Sequence, residues 1–506
     1  MAGHKSLHSW LETHAAISPD RPAVSGPGCF ANRGDLAESS RALAAWLVRE
    51  GGLRHGERIA WLGHNHLEQI LLVFAAALAG LVLVPLNWRL SGVEQRRILA
   101  DAGVSLLFTH HDFADRAAEI APPDCRVISC GGTADEFGEA VLAGAALPAP
   151  GRTGDPLDPL LLVYTSGTTG DPKGAILTQE AVLYNALNSI HMHGMTEEDI
   201  VLTVLPMFHV GGLNIQTLPA LYCGAQVILH PVFDPGAVLA GIRENRPTLL
   251  LQVPATLAAL MAHPEWTQTD ISCLRSVSIG STDVPVEQIE AVHARGVPVI
   301  QIYGSTETGP VSIYQRAEEA FETAGALGRQ GLHTEIRLVD GAGNDVPAGE
   351  TGEILVRGPH VAQGYWGDPE NPAFSGGWFR SGDMAWRDAR GLYWFRGRRK
   401  HMIISGGENI YPAEIERVLR RVPGVVECAV VGVPDPKWGE TPAALIVTEN
   451  GRALPGAALR EALERELARY KHPRHVFFTD ALPRNVMGKV VPEMVREAFL
   501  ARLAQK

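Results

Sequence analysis

Residues 164–175 read YTSGTTGDPKGA and follow the apolar run LLLV. The stretch offers hydroxyls at Thr165, Ser166, Thr168 and Thr169, glycines at Gly167, Gly170 and Gly174, and one lysine, Lys173. Glycines let a backbone turn its N–H groups toward an anion, while hydroxyls and a lysine add donors and a point charge. This is not a P-loop, because Gly170 stands three residues before Lys173 and Gly174 directly follows it. Leaving an apolar strand, the loop sits where ligands commonly bind in α/β sheets.

Four more segments could do related chemistry. IYGSTETG, residues 302–309, offers a flat aromatic (Tyr303), a hydroxyl (Thr306) and a carboxylate (Glu307). A carboxylate beside a phosphate loop suits Mg²⁺, which takes one or two protein carboxylates together with phosphate oxygens. WFRSGDMAW holds Asp383, a turn residue or an acceptor for both hydroxyls of a ribose. FRGRRKHMIISGGENIYPAEIE combines Arg398, Lys400 and a Gly406–Gly407 turn, and LPRNVMGKV carries Lys489 on a glycine turn. Taken singly, each has an ordinary structural reading: Glu307 as a helix-capping acid, the lysines as surface decoration.

The elements that must position these groups follow from composition and pattern. At 506 residues the chain exceeds a single small core, so at least two domains are expected. A formal charge of −12 argues against nucleic acid as a partner. Six scattered cysteines without a CxxC pair fit free thiols in a reducing cytoplasm. The start MAGHKSLHSW has no apolar signal core. The run ILLVFAAALAGLVLV is too short for a transmembrane span of about 20 residues, and Gly80 splits it into a buried helix and a strand.

SSRALAAWLVREG reads as a helix ending at Gly51. From Leu160, strands at LLLVYTS, IVLTVLP, AQVILH and TLLLQVP alternate with helical stretches, which implies α/β layers. EIRLVDGAGNDVPAGETGEILVRG reads as a small antiparallel β unit. After the charged knot at residues 396–401 a further α/β region begins. It holds a strand at VECAVVGVP and an amphipathic helix placing Leu459, Leu463, Leu467 and Tyr470 on one face. The expected division is a large domain over residues 1–396 and a small one over 397–506. His110–His111 and His191/His193 lack partner acids at metal spacing and read as loop or surface histidines.

In combination, YTSGTTGDPKG, YGSTE, SGD, GRRK…SGGENIYPAEIE and PRNVMGK resemble the adenylate-forming superfamily of acyl-CoA synthetases, aryl-CoA ligases, luciferases and peptide-synthetase adenylation domains. The segments occur in the family's order and spacing over nearly the whole chain. The resemblance implies an α/β fold with a large N-terminal domain of layered α/β subdomains plus a small β unit, and a mobile α+β C-terminal domain. It implies ATP, Mg²⁺ and coenzyme A, with carboxylate and ATP giving an acyl-adenylate and pyrophosphate before the thiol releases AMP.

Residue by residue, Thr165, Ser166, Gly167, Thr168, Thr169, Gly170 and Lys173 resemble the grip on the β- and γ-phosphates. Thr306 is similar to the α-phosphate ligand, Glu307 to the Mg²⁺ ligand, and Tyr303 to the residue stacked on adenine. Gly280, Ser281 and Gly304 resemble the residues lining the nucleotide side, and Asp383 with Arg398 the ribose holders. Lys489 matches the adenylation lysine, Lys400 the hinge, and Ser405, Gly406 and Gly407 the CoA side. Two departures stand out: His401 replaces a common acidic residue, and IGSTDVP carries Thr282 and Asp283 where the family has small residues.

LPMFHVGGLNIQTLPAL corresponds to the family's acyl-pocket wall, with His209 as the gate beside the carboxylate and Gly211, Gly212, Asn214 and Gly309 in the pocket. The wall is apolar apart from Asn214 and Gln216, with no arginine for a second carboxylate and no acid for an amino group. A monocarboxylate with an uncharged tail is favoured. The balance tips to aromatic acids of the hydroxycinnamate, ferulate or benzoate kind, with medium- or long-chain fatty acids as the alternative. No carrier segment follows Lys489, which disfavours a fused synthetase module. A stand-alone enzyme loading a carrier protein and an inactive nucleotide-binding homologue are the remaining alternatives, and the sequence leaves a homodimer open.

Overall fold

The computed structural model describes residues 6–132, 135–150, 154–166, 172–280, 284–405, 408–449, 451–485 and 488–503. The chain forms two compact units: Met1–Ile336 with Val356–Arg380, and Arg337–Leu355 with Ser381–Lys506.

The first unit contains two α/β sheets. One runs Arg126–Cys130, Val104–His110, Arg58–Leu62, Val82–Pro85, Pro159–Ser166, Pro172–Thr178. Its strands are parallel except for the last, which returns antiparallel on Pro159–Ser166. The other is nine-stranded, with Val299–Tyr303, Ser276–Gly280, Leu249–Gln252, Ile200–Thr203, Gln226–Leu229 and Pro22–Gly26 parallel at its centre. Antiparallel partners close both of its edges.

The local signals explain the elements. Leu67–Ala79 is a helix whose residues from Gln69 onward are all buried, and Gly80 ends it at φ 67 before the strand Val82–Pro85. A left-handed residue costs glycine nothing, so the apolar run turns there. Arg33–Arg49 starts on a capping box in which Asn32 and Asp35 satisfy each other's backbone N–H. Among the described residues no helix is long and apolar enough to cross a membrane, and all six cysteines are free.

His193 differs from the surface reading. It closes the helix Gln179–His193 at 5% exposure, where Nδ1 meets the Ser189 carbonyl at 2.8 Å and Nε2 meets Ser278 Oγ at 2.8 Å. The helix C-terminus supplies acceptors that an isolated sequence pair does not reveal. Burial lowers its pKa to about 4. A group with a folded pKa below its unfolded value near 6.5 stays neutral in the fold while the unfolded chain takes up a proton. Its stabilisation is therefore complete above about pH 6.5 and declines as pH falls toward 4. Thermal melts between those limits should show Tm falling, with a shallower decline in His193→Gln. An unchanged slope in the variant would remove His193 as a cause.

In the second unit, residues 383–387 pair antiparallel with Tyr393–Arg398. A further sheet orders Glu408–Ile410, Ile403–Ser405, Gly439–Thr448 and Val425–Asp435, with His475–Thr479 parallel to Gly439–Thr448. Helices Pro412–Arg420 and Gly456–Glu466 contribute Ile415, Val418, Leu419, Leu459 and Leu463 to one apolar cluster. Pro492–Leu503 contributes Val495 and Phe499 to another.

The amphipathic helix is shorter than its pattern implies. It ends at Glu466, Leu467 turns extended and accepts from His472 Nε2, and Tyr470 falls in a 3₁₀ turn with 46% exposure. Only Leu459 and Leu463 carry the buried face.

Candidate active site

The first unit gathers its candidate residues at the carboxyl ends of parallel strands, the general binding edge of α/β sheets. Gly280 ends Ser276–Gly280 and is paired in register with Ile302, one residue before Tyr303. The chain then turns through Gly304, where an added Cβ would fall 1.6 Å from the Pro310 carbonyl oxygen. Only glycine permits that crossing. A 3₁₀ turn, Thr306–Thr308, follows, stapled by Ser305 N–H donating to Thr308 Oγ1 at 2.9 Å. It leaves Thr306 half-buried and Glu307 9% exposed.

Lys173 belongs to the other sheet, in Pro172–Thr178. Residues 362–366 link the two: Ala362 N–H donates to the Glu307 carbonyl, Gln363 N–H to Ile176 and Trp366 N–H to Gly174. This lacing places Tyr365 between the two candidates. Its hydroxyl donates to Glu307 Oε1 at 2.6 Å, and Lys173 Nζ lies 5.2 Å from its ring centroid and 3.7 Å from Asp368 Oδ2. Burial, then the Glu307 carboxylate, raises the Tyr365 pKa, so the phenol stays a donor.

The acyl-wall segment contains a short helical turn, Val210–Gly212, and a π-helical turn, Leu213–Thr217. Such π turns recur at functional sites. His209 caps the turn, half-buried, its ring 4.5 Å from that of Phe208. A Cβ on Gly212 would lie 2.3 Å from the Pro206 carbonyl oxygen, whereas one on Gly211 meets nothing within 4 Å. Gly212 is thus a packing requirement and Gly211 borders open space. Asn214 is fully buried; its Nδ2 donates to the Gly309 carbonyl at 2.9 Å and its backbone carbonyl accepts from Asn185 Nδ2 at 2.6 Å. Gln216 Nε2 lies 3.1 Å from His193 Nε2 and 3.4 Å from Ser278 Oγ. The amide nitrogens of both are tied into the protein framework.

The second unit holds another group. Asp383 and Arg398 face each other across the hairpin, with Arg398 Nε 3.0 Å from Asp383 Oδ1. Lys489 is exposed by area, its backbone N–H held by Asn485 Oδ1 at 3.0 Å. Desolvation around the amine, then the charges of Arg398 and Lys400, lower its pKa against the opposing pull of Asp383. Lys400 Nζ lies 3.7 Å and His401 Nδ1 3.9 Å from Glu493 Oε1. Burial, with Lys400 next, lowers the His401 pKa to about 4. Ser405 ends Ile403–Ser405. Gly167, Thr168, Thr169, Gly170, Ser281, Thr282, Asp283, Gly406 and Gly407 lie outside the described residues, as does the side chain of Ser166.

Residues 11–366 match the AMP-binding enzyme family, and residues 414–489 match its C-terminal domain. The chain belongs to the AMP-binding enzyme family. It is 45% identical to indoleacetate–CoA ligase of Aromatoleum aromaticum, over 97% of this chain and 98% of that one. It is 37% identical to the long-chain-fatty-acid–CoA ligase FadD13 of Mycobacterium tuberculosis, over 98% and 99%. Its structure matches o-succinylbenzoate CoA synthetase of Bacillus subtilis, solved with an acyl-adenylate intermediate, at a TM-score of 0.84 and 31% identity over 97% of each chain. This AMP-binding enzyme is an AMP-forming acid–thiol ligase that uses ATP, Mg²⁺ and coenzyme A.

Glu307 of this AMP-binding enzyme fits Mg²⁺. A hard carboxylate oxygen is the correct donor, and Tyr365 occupies only one of its two oxygens among the described residues. The ion, when bound, neutralises phosphate charge. Tyr365, bonded to Glu307, and Asn185, bonded to Asn214, are neighbours of the candidate residues that the sequence reading missed. The signal for Tyr365 is an aromatic and an acid, Asp368, flanking the turn glycine Gly367 in GYWGDPE. Asn185 gives no such sign, being one polar residue within a helix.

Proposed function

We propose that this enzyme activates an aromatic monocarboxylic acid as its CoA thioester. The near full-length similarity to indoleacetate–CoA ligase carries the reading, and the open space beside Gly211 in an apolar wall supports it. In this reading Thr165, Ser166, Lys173 and residues 167–170 hold the phosphates that depart as pyrophosphate. Thr306 binds the α-phosphate, Tyr303 with Gly280, Ser281 and Gly304 encloses adenine, and Asp383 with Arg398 holds the ribose. His209 closes over the carboxylate, with Gly211, Gly212, Asn214 and Gly309 around the acyl group.

A carboxylate attacking an α-phosphate meets like charge, which Lys489 offsets from its side. The carboxylate oxygen bonds to phosphorus as pyrophosphate leaves. The mixed anhydride must be kept from water. A small domain, residues 397–506, then turns about Lys400, withdrawing Lys489 and presenting Ser405, Gly406 and Gly407 to the thiol path. The thiol sulfur attacks the acyl carbon, and AMP leaves. The six free thiols suit a reducing cytoplasm as the compartment.

Pyrophosphate release with a panel of acids tests the substrate class. Indoleacetate, ferulate and benzoate should give the highest kcat/KM. A response confined to medium- and long-chain fatty acids would overturn the aromatic assignment.

A further inference from the structure

The carboxyl edge of the six-stranded sheet carries a histidine cluster that the acid–thiol reaction does not use. His64 and His66 follow the strand Arg58–Leu62, and His110 ends its neighbour Val104–His110. His111 opens the 3₁₀ turn His111–Phe113, which also holds Asp112. The sequence reading found no acid at metal spacing here. The tight turn supplies one, because it folds Asp112 back onto both preceding imidazoles.

Among the described residues, His110, His111 and Asp112 offer ligand atoms that all lie within 4.8 Å of one another. His110 Nδ1 is 3.3 Å from Asp112 Oδ2, and His111 Nε2 is 3.2 Å from Asp112 Oδ1. Tetrahedral ligands bound at about 2.0–2.2 Å stand roughly 3.3–3.6 Å apart, close to these separations. The ring of His66 lies 5.0 Å from that of His110, and the His110 and His111 rings are 4.2 Å apart. Two nitrogens in the group are shut off from solvent, His66 Nδ1 abutting Glu68 Oε2 and His110 Nδ1 facing Asp112.

We propose that His110, His111 and Asp112 form a binding site for a divalent transition-metal ion of the Zn²⁺ class, with water completing a four-coordinate shell. Imidazole donors select such ions over Mg²⁺, so the site is chemically separate from Glu307. A bound ion ties the end of the strand Val104–His110 to the 3₁₀ turn that follows it.

The test is calorimetric titration of the full-length protein, free of any polyhistidine tag, with ZnCl₂ in Mg²⁺-containing buffer. About one equivalent should bind saturably and raise Tm. The double variant His111→Asn/Asp112→Asn should lose at least about tenfold in affinity, the loss that even outer-shell changes cause. Both side chains are about half exposed, so the replacement leaves the core intact. Cobalt(II) loading should give the intense visible bands of a four-coordinate ion, absent in the variant. No saturable uptake, or uptake unchanged in the double variant, would overturn the site.

Discussion

Lys489→Ala is expected to lower acyl-adenylate formation by on the order of 10²- to 10³-fold, the loss typical of removing one positioned electrostatic donor. Thioester formation from supplied acyl-adenylate and coenzyme A should largely survive. The asymmetry follows from where charge is in conflict. The first half-reaction brings a carboxylate onto a phosphate, whereas the second brings a thiol onto an anhydride carbon. ATP–pyrophosphate exchange reads the first half, and thioester yield from synthetic acyl-adenylate reads the second. Equal loss in both halves would sink the domain-alternation reading.

A pH signature accompanies the rate. In the proposed adenylation Lys489 works as a cation, and its pKa is lowered by desolvation and by Arg398 and Lys400. The alkaline limb of adenylation should therefore begin below the usual lysine range near pH 10.4. Asp383 opposes the shift, so Asp383→Asn should move the limb lower still.

What was legible in the sequence was whatever is encoded locally. An all-apolar run broken by a glycine dictates the helix Leu67–Ala79, the left-handed turn at Gly80 and the strand beyond. The hydroxyl-rich loop, the Tyr303–Glu307 turn and the Lys489 turn each show their donor types in order along the chain. What escaped depends on contacts across long separations. Tyr365 matters because residues 362–366 lace Glu307 to the strand holding Lys173. His193 is buried because the helix end that carries it packs against the strand holding Ser278. Asp112 escaped for a local reason, since it counts as a partner only once a 3₁₀ turn brings it back. The end of the helix at Glu466 escaped similarly, because Leu467 and Tyr470 satisfy the helical period without being buried as it requires.

Glu307→Gln and Tyr365→Phe separate the proposed metal ligand from the group that orients it. The amide introduced by the first substitution keeps the size of the carboxylate and loses its charge. Adenylation should therefore fall by about 10²-fold or more, with a steep rise in the Mg²⁺ concentration required. Tyr365→Phe keeps the ring, hence its packing 5.3 Å from Phe374 and its place under the Lys173 ammonium. It deletes only the hydroxyl that donates to Glu307 Oε1. Hydrogen bonds to charged groups contribute about 1.5–3 kcal/mol, which sets an upper bound of roughly 10- to 100-fold on the effect. A smaller loss than for Glu307→Gln is expected, because the freed carboxylate still carries its charge. The two should also differ in kind. Added Mg²⁺ should restore most of the Tyr365→Phe deficit, since a mislaid ligand still attracts the ion, and little of the Glu307→Gln deficit. Initial rates of pyrophosphate release across a Mg²⁺ titration at saturating ATP read both. A Tyr365→Phe loss as large as that of Glu307→Gln, and equally resistant to Mg²⁺, would mean that the phenol itself touches the reacting groups and that Glu307 is not the principal metal ligand.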